Sequence, residues 1–340
     1  MYDGFVRTLQ PGGSVQDEGD LEEWLPISVF FDDYNFSHIH RVVLGARPLG
    51  LQAALSSGLY GADVNAQDDM GMTPLHWAAL KNDADAVATL LAAGADVNIR
   101  NKRGRTALWK ACLINSEACA EKLITFGADV NAGCKYGYRP IHAAAQCDAT
   151  RTLLSLLLSN GAGMEDSRNT FGRTPLARAV SFNSARSCKY LLEHDANINH
   201  PDREGDPPLF EAVIKNSHDC LELLMSWDAN YLHIKAGDQT LLHVAAMRGD
   251  KRTFEILAAV NLKGLNASAK DTNSMTARQL FAARSGVPRD TITSFECFLE
   301  SLTRATGGTG EHTEHESSDE ENFVDALEYV EGRLDAYENE

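Results

Sequence analysis

Positive charge is scarce in this chain: 31 Lys and Arg stand against 48 Asp and Glu in 340 residues, a formal net charge of -17. A field of that sign repels phosphate, so general capture of nucleic acid would have to work against it. Long apolar runs are missing too, and no stretch approaches the roughly 18 residues of a membrane helix. The opening MYDGFVRTLQPGG has neither the cationic start nor the apolar stretch of a secretory signal. The expected location is therefore intracellular, in cytoplasm or nucleus. Seven cysteines at irregular spacing suit a reducing compartment better than a disulfide framework. A phosphate-binding Gly-Lys-Ser/Thr loop and a nucleophile elbow are both absent from the sequence.

What the sequence does have is a period. Gly61, Gly94, Gly127, Gly161, Asp195, Asp228 and Asn261 follow one another at steps of 33, 33, 34, 34, 33 and 33 residues. The first three open the phrase GADVN, and GAGME, DANIN and DANYL follow in register. Self-similarity at such a step predicts a solenoid of stacked units. Four residues before the markers stand Leu90, Leu123, Leu157, Leu191, Leu224 and Leu257; seven before stand Val87, Ala120, Leu154, Cys188, Leu221 and Phe254. That spacing is one apolar stripe of a helix. Earlier in each unit Leu75, Leu108, Ile141, Leu176, Leu209 and Leu242 are each followed three residues later by alanine, small enough for two helices to approach closely.

Helix boundaries follow from capping chemistry. In TPLHWAAL, Thr73 can accept from the first free amides of a helix, and Pro74 takes the first helical position, where its missing N–H is not needed. Thr174 and Pro175 repeat the device. Gly94, Gly127 and Gly161 suit the left-handed residue that closes a helix, and Asp195 and Asp228 can adopt it at some cost. Each unit reads as short helix, turn, longer helix and loop.

The combination of G-x-TPLH-x-AA with LL-x-x-GADVN resembles the ankyrin repeat, over about residues 36–303. The resemblance implies an all-α solenoid of helix-turn-helix units with hairpin loops: about six clear repeats plus degenerate capping units. FSHIHRVVLG and LGLQAAL are similar to a degraded first unit; MTARQLFAARSG and ITSFECFLESL look like a closing pair. The opening block also resembles those of fungal ankyrin repeat proteins. In the family pattern His76, His142 and His243 occupy a packing slot, which Trp109, Ala177 and Phe210 fill in other units. Family likeness further implies a non-enzymatic protein-interaction module whose loop tips and first helices touch the partner, with no cofactor and no small-molecule substrate.

Candidate chemistry elsewhere is weak. Cys188 lies on the helix stripe and reads as a buried thiol. Cys134, His142 and Cys147 match no ordinary zinc spacing, and His142 is already assigned. His312 and His315 stand among glutamates, where an acidic surface explains them as well as a metal would. An enzyme hidden in the repeats would need paired titratable groups outside the packing slots.

The stretch IRNKRGRTALWK, residues 99–110, concentrates five cations with no acid. In the repeat frame its loop and the next two meet on one ridge, and the expected partner-binding residues are Lys102, Arg103, Arg105, Trp109, Lys135, Tyr136, Tyr138, Phe171 and Arg173. Tyr and Arg carry binding energy at interfaces, and cations steer acidic partners. The expected partner is thus a protein with an acidic surface. Mere solubility of the tips is the competing reading, and a nucleic-acid-associated role for the basic ridge is the alternative function.

Two flanks complete the division. Residues 1–35 mix acids with Trp24, Phe30, Phe31 and Tyr34 and are expected to cover the first repeat. Residues 304–340 read as an acidic linker and tail, whose portion from 305 holds twelve acids against Arg333 alone, -11 of the total -17. Within the tail, Phe323, Leu327, Val330, Leu334 and Tyr337 recur at helical spacing and predict a short amphipathic helix at 322–337, weakened by Gly332 by about 1 kcal/mol. The tail's charge makes it a candidate intramolecular competitor for the cationic ridge.

Overall fold

A computed structural model of the chain describes residues 35–45, 50–56, 63–165, 169–260 and 262–306. The expected tail helix at 322–337, most of the N-terminal segment, and the markers Gly61 and Asn261 lie outside these residues. Sixteen helices and no strand occur among the described residues. They follow one another in pairs: α1 (His38–Val43) and α2 (Leu51–Ser56), α3 (Pro74–Leu80) and α4 (Ala84–Ala92), α5 (Ala107–Leu113) and α6 (Glu117–Thr125), α7 (Pro140–Gln146) and α8 (Arg151–Ser159). The second half continues with α9 (Pro175–Ser181) and α10 (Ala185–Glu193), α11 (Pro208–Lys215) and α12 (His218–Ser226), α13 (Leu241–Arg248) and α14 (Lys251–Ala259), and α15 (Ala277–Ala282) and α16 (Arg289–Thr306). Odd-numbered helices pack on odd neighbours and even on even, giving an inner and an outer layer.

The apolar stripes lie where the period puts them. Leu90, Leu123, Leu157, Leu191, Leu224 and Leu257 are fully buried, as are the inner-helix alanines Ala78, Ala111, Ala144, Ala179, Ala212 and Ala245. Cys188 is buried as expected, and all seven cysteines are free thiols. Gly94, Gly127 and Gly161 close their helices with φ of 88°, 85° and 85°; Asp195 and Asp228 reach 65° and 55°.

Successive units are tied together by polar ladders as well as by packing. The Thr73 backbone N–H donates to His76 Nδ1 at 3.1 Å, which leaves Nε2–H to donate to the Arg105 carbonyl of the next unit at 3.0 Å. His40, His142 and His243 reach the carbonyls of Met72, Arg173 and Met275 in the same way. Trp109 stands in the slot without such a link, and its buried indole N–H has no partner in the structure. A second ladder runs along the loops that follow the outer helices, where Asn65, Asn98 and Asn199 accept from the backbone N–H of Asp96, Asp129 and Asn230 at 2.8, 2.9 and 2.8 Å.

Burial holds the His76 imidazole down to about 4 from 6.5, despite the Arg105 carbonyl, which favours the protonated form. Between these values the unfolded chain binds a proton that the folded chain refuses, so stability falls as the pH drops from 6.5 toward 4. We expect this residue alone to cost on the order of 2 kcal/mol between pH 7 and pH 5. Urea denaturation across that window is the measurement. His76→Gln should flatten the slope, and an unaltered slope would assign the pH dependence to other groups.

Candidate functional site

The ridge is built from hairpin tips that join one another edge to edge. Within a tip, the Asn101 carboxamide accepts from the N–H of Arg103 and Arg105 at 3.0 and 2.9 Å, and Asn169 does the same for Phe171 and Arg173. Between tips, Lys102 N–H donates to the Met70 carbonyl, Lys135 to Arg103, Thr170 to Tyr136 and Arg203 to Phe171, at 3.0, 3.0, 2.8 and 2.9 Å. This spacing needs glycine: a Cβ on Gly104, which has φ of 79°, would lie 3.0 Å from the Lys135 amide nitrogen. At Gly205 the ladder is interrupted, and a Cβ there would meet open space; it resumes one unit on, where Thr272 N–H donates to the Gly237 carbonyl at 3.0 Å. The backbone thus fixes a row of outward residues, Met70, Arg103, Tyr136 and Phe171, that ends at the Arg203 tip.

The nine candidate residues fall into three groups. Lys102, Arg103, Lys135, Tyr136 and Phe171 stand on the tips, with Tyr136 58% and Phe171 50% exposed. Lys102, Lys135 and Arg203 are exposed and form no ion pair among the described residues. Arg105, Trp109 and Tyr138 are buried directly below. The Arg105 guanidinium lies 3.9 Å from the centre of the Trp109 ring, a cation–π contact in a dry setting. Arg173 forms the third group: it is drawn off by Glu211 at 3.4 Å and Asp202 at 3.7 Å.

Two buried cations beneath this surface were not among the nine candidates. Lys110 and Arg178 occupy the fourth position of α5 and α9, next to the packing slot, and are only 2% and 4% exposed. Arg178 stacks on Tyr138 at 4.5 Å and on Phe182 at 4.3 Å, and donates to the Tyr138 hydroxyl and to Gln146 Oε1. The signal was available in the repeat frame, because the residue after each slot recurs on one stripe: Trp77, Lys110, Ala143, Arg178, Glu211 and Val244. What the arrangement offers chemically is cationic and aromatic contact area held by hydrogen-bonded backbone. Among the described residues no group of three or more His, Cys, Asp or Glu side chains could hold a metal ion.

A family model described as ankyrin repeats in three copies matches residues 51–101, 77–166 and 141–235, together more than half of the chain. The chain is an ankyrin repeat protein. Its solved structural neighbours include the human ASB11 ankyrin repeat domain, at 27% identity and a TM-score of 0.57, with 66% of this chain and 98% of that one covered. Another is the ankyrin repeat domain of Bcl-3, described as a unique member of the IkappaB protein family, at 28% identity and a TM-score of 0.53 over 66% of this chain and 99% of that one. No curated protein matches the chain. Ankyrin repeats are generally protein–protein interaction modules and typically non-enzymatic. No described helix is long and apolar enough to cross a membrane.

Two neighbouring tyrosines separate surface from support. Tyr138→Ala removes a buried ring and its contact to Arg178 and should cost about 3–5 kcal/mol in chemical denaturation. Tyr136→Ala should stay within about 0.5 kcal/mol of the parent protein. Equal losses would mean that the outer ring is also structural.

Proposed function

We propose that this ankyrin stack binds a protein partner with an acidic surface through the ridge of Lys102, Arg103, Lys135, Tyr136 and Phe171. The observation that carries the reading is the pair of half-exposed aromatic rings on adjacent tips, flanked by Lys102, Lys135 and Arg203 without carboxylate partners. Exposed aromatics beside cations are poor solubilisers and good anchors. Arg105, Trp109 and Tyr138 contribute from beneath by holding the tips, and Arg173 marks the edge of the surface. In this reading the protein works as an intracellular adaptor, with residues 36–303 as the binding domain between two acidic flanks. The tail from residue 305 competes for the Arg203 end of the ridge, which its linker reaches most easily.

The test is capture from cell extract followed by kinetics with the captured partner. Reversing Lys102 and Lys135 to Glu should slow association and flatten its salt dependence. Tyr136→Ala with Phe171→Ala should instead speed dissociation by one to two powers of ten, roughly the scale of two hot-spot losses. Unchanged rates in all four substitutions, in protein that keeps its helical spectrum, would return the ridge to solubility. Binding of generic DNA with a steep salt slope would favour nucleic acid instead. Deleting residues 305–340 should tighten partner binding at low salt, and unaltered affinity would remove the tail from the mechanism.

A further inference from the structure

Each hairpin tip is closed by one backbone hydrogen bond, and the residue after its donor takes the same outward place in every unit. The donors Asp68, Asn101, Cys134, Asn169, Asp202 and Lys235 each bond the carbonyl four residues on. The residues that follow them are Asp69, Lys102, Lys135, Thr170, Arg203 and Ala236, and all six are exposed. Along the row the charges therefore read minus, plus, plus, none, plus, none. Thr170 interrupts the cations, and its tip carries Phe171 at 50% exposure; one tip earlier Tyr136 is 58% exposed beside Lys135. Lys102, Lys135 and Arg203 form no ion pair among the described residues. Residues 36–304 balance 28 acids with 29 cations, so the scaffold of the row does not itself oppose an acidic ligand.

The spacing of the row matches a strand. Neighbouring units step by about 8–10 Å, and an extended chain rises about 3.3 Å per residue, so three residues of a strand cover one unit. From Lys102 to Arg203 the row is three steps long, about 24–30 Å, and only one tip wide. We propose that the ridge binds an extended acidic segment of the partner, about ten residues long, with acids at its first, fourth and tenth places and a large apolar side chain at its seventh. The acids face Lys102, Lys135 and Arg203, and the apolar side chain lies on Phe171 beside Tyr136. A cleft of about 290 Å³, lined by Asn169, Gly172, Pro201, Asp202 and Arg203, opens between the last two tips and gives the final carboxylate room beside Arg203. The proposal deepens the ridge reading and rests on it: the acidic surface of the partner becomes a linear segment of one spacing.

The ends of the row fix the register of such a segment. A slip of one unit toward the N-terminus sets its first acid against Asp69 and its apolar side chain against Lys135. One charge pair survives, offset by one repulsion. A slip the other way sets the apolar side chain against Arg203 and two acids against Thr170 and Ala236, which again leaves one pair. Beyond the tenth place the exposed Glu204 and Asp238 repel further acids. Only one register satisfies all three cations and both rings.

Fluorescence anisotropy of the full-length protein with synthetic peptides tests the spacing at low salt. The probe is a glycine–serine peptide with glutamate at the first, fourth and tenth places and leucine at the seventh, made in both chain directions. The tighter of the two should exceed a shuffled peptide of identical composition by about tenfold. Replacing the glutamate beyond the leucine by glutamine should weaken binding to the parent protein about threefold and leave binding to the Arg203→Ala variant unchanged. The substituted residues are exposed, and an unaltered helical spectrum checks the fold of each variant. Equal affinity of ordered and shuffled peptides, the same threefold loss in Arg203→Ala, or no binding up to about 1 mM would each overturn the proposal. If ordered and shuffled peptides bind alike and both are lost on combining Lys102→Glu with Lys135→Glu, the ridge reading stands and the spacing fails. If the ordered peptide keeps its advantage while the captured protein partner binds that double variant as it binds the parent, the segment seat stands and the ridge reading fails.

Discussion

Helices of seven and nine residues are below the length at which a helix holds itself together in water. Every unit of this stack therefore exists because its neighbours cover its apolar faces. Burial of a leucine or isoleucine contributes about 1.5–3 kcal/mol, and from α3 to α14 each layer of every unit has at least one such side chain no more than 1% exposed, such as Leu108 with Leu123 and Ile141 with Leu157. The 33-residue step is the constraint that keeps them in register. Because it also sets the rise from unit to unit, it places Lys102, Lys135 and Arg203 along one row of tips whether or not those residues contribute to folding.

Freedom at the surface follows from rigidity beneath it. Once Asn101 and Asn169 have closed the tips and the tips have bonded to one another, the outward side chains can vary without moving the backbone. The histidine slot shows the opposite case. Trp109 there gives up the link to the next unit, leaves a buried N–H without a partner, and brings a large ring under Arg105. A buried donor without a partner costs about 1–3 kcal/mol. The ring offsets part of that cost by cation–π contact with Arg105, which stiffens the base of the most cationic tip.

Most of the architecture was legible because it depends on short-range chemistry. Thr73 with Pro74, the glycines at φ near 85° and the stripe from Leu90 to Leu257 each announce themselves within a few residues. The candidate residues were legible in their order along the repeat and illegible in their depth. Counting along the repeat finds Tyr136 and Tyr138 together, but one is half exposed and the other supports Arg178, forty residues away. Arg173 looked available for the same reason, since its partner Glu211 lies 38 residues further on. Such contacts arise from the stacking of units, and a local pattern carries no information about which side chains on adjacent units will meet.

A cationic groove between two acidic flanks raises the question of why such chains would not bind one another head to tail. The answer lies in concentration. A flank tethered near the ridge would act at an effective concentration on the order of millimolar, whereas another copy present at about micromolar concentration would compete poorly, so an intramolecular contact would be favoured by roughly a thousandfold. Net charge works in the same direction, because copies that each carry -17 repel at long range. In the proposed reading an external partner would face the same competition and would have to exceed it through contacts that an acidic segment makes poorly. The half-exposed rings of Tyr136 and Phe171 would supply such contacts: they would reward a shaped apolar surface, whereas the cations alone would reward any acid within reach. If the proposed partner binds this ridge, selectivity would come from its aromatics, and its cations would govern how quickly an acidic surface is found.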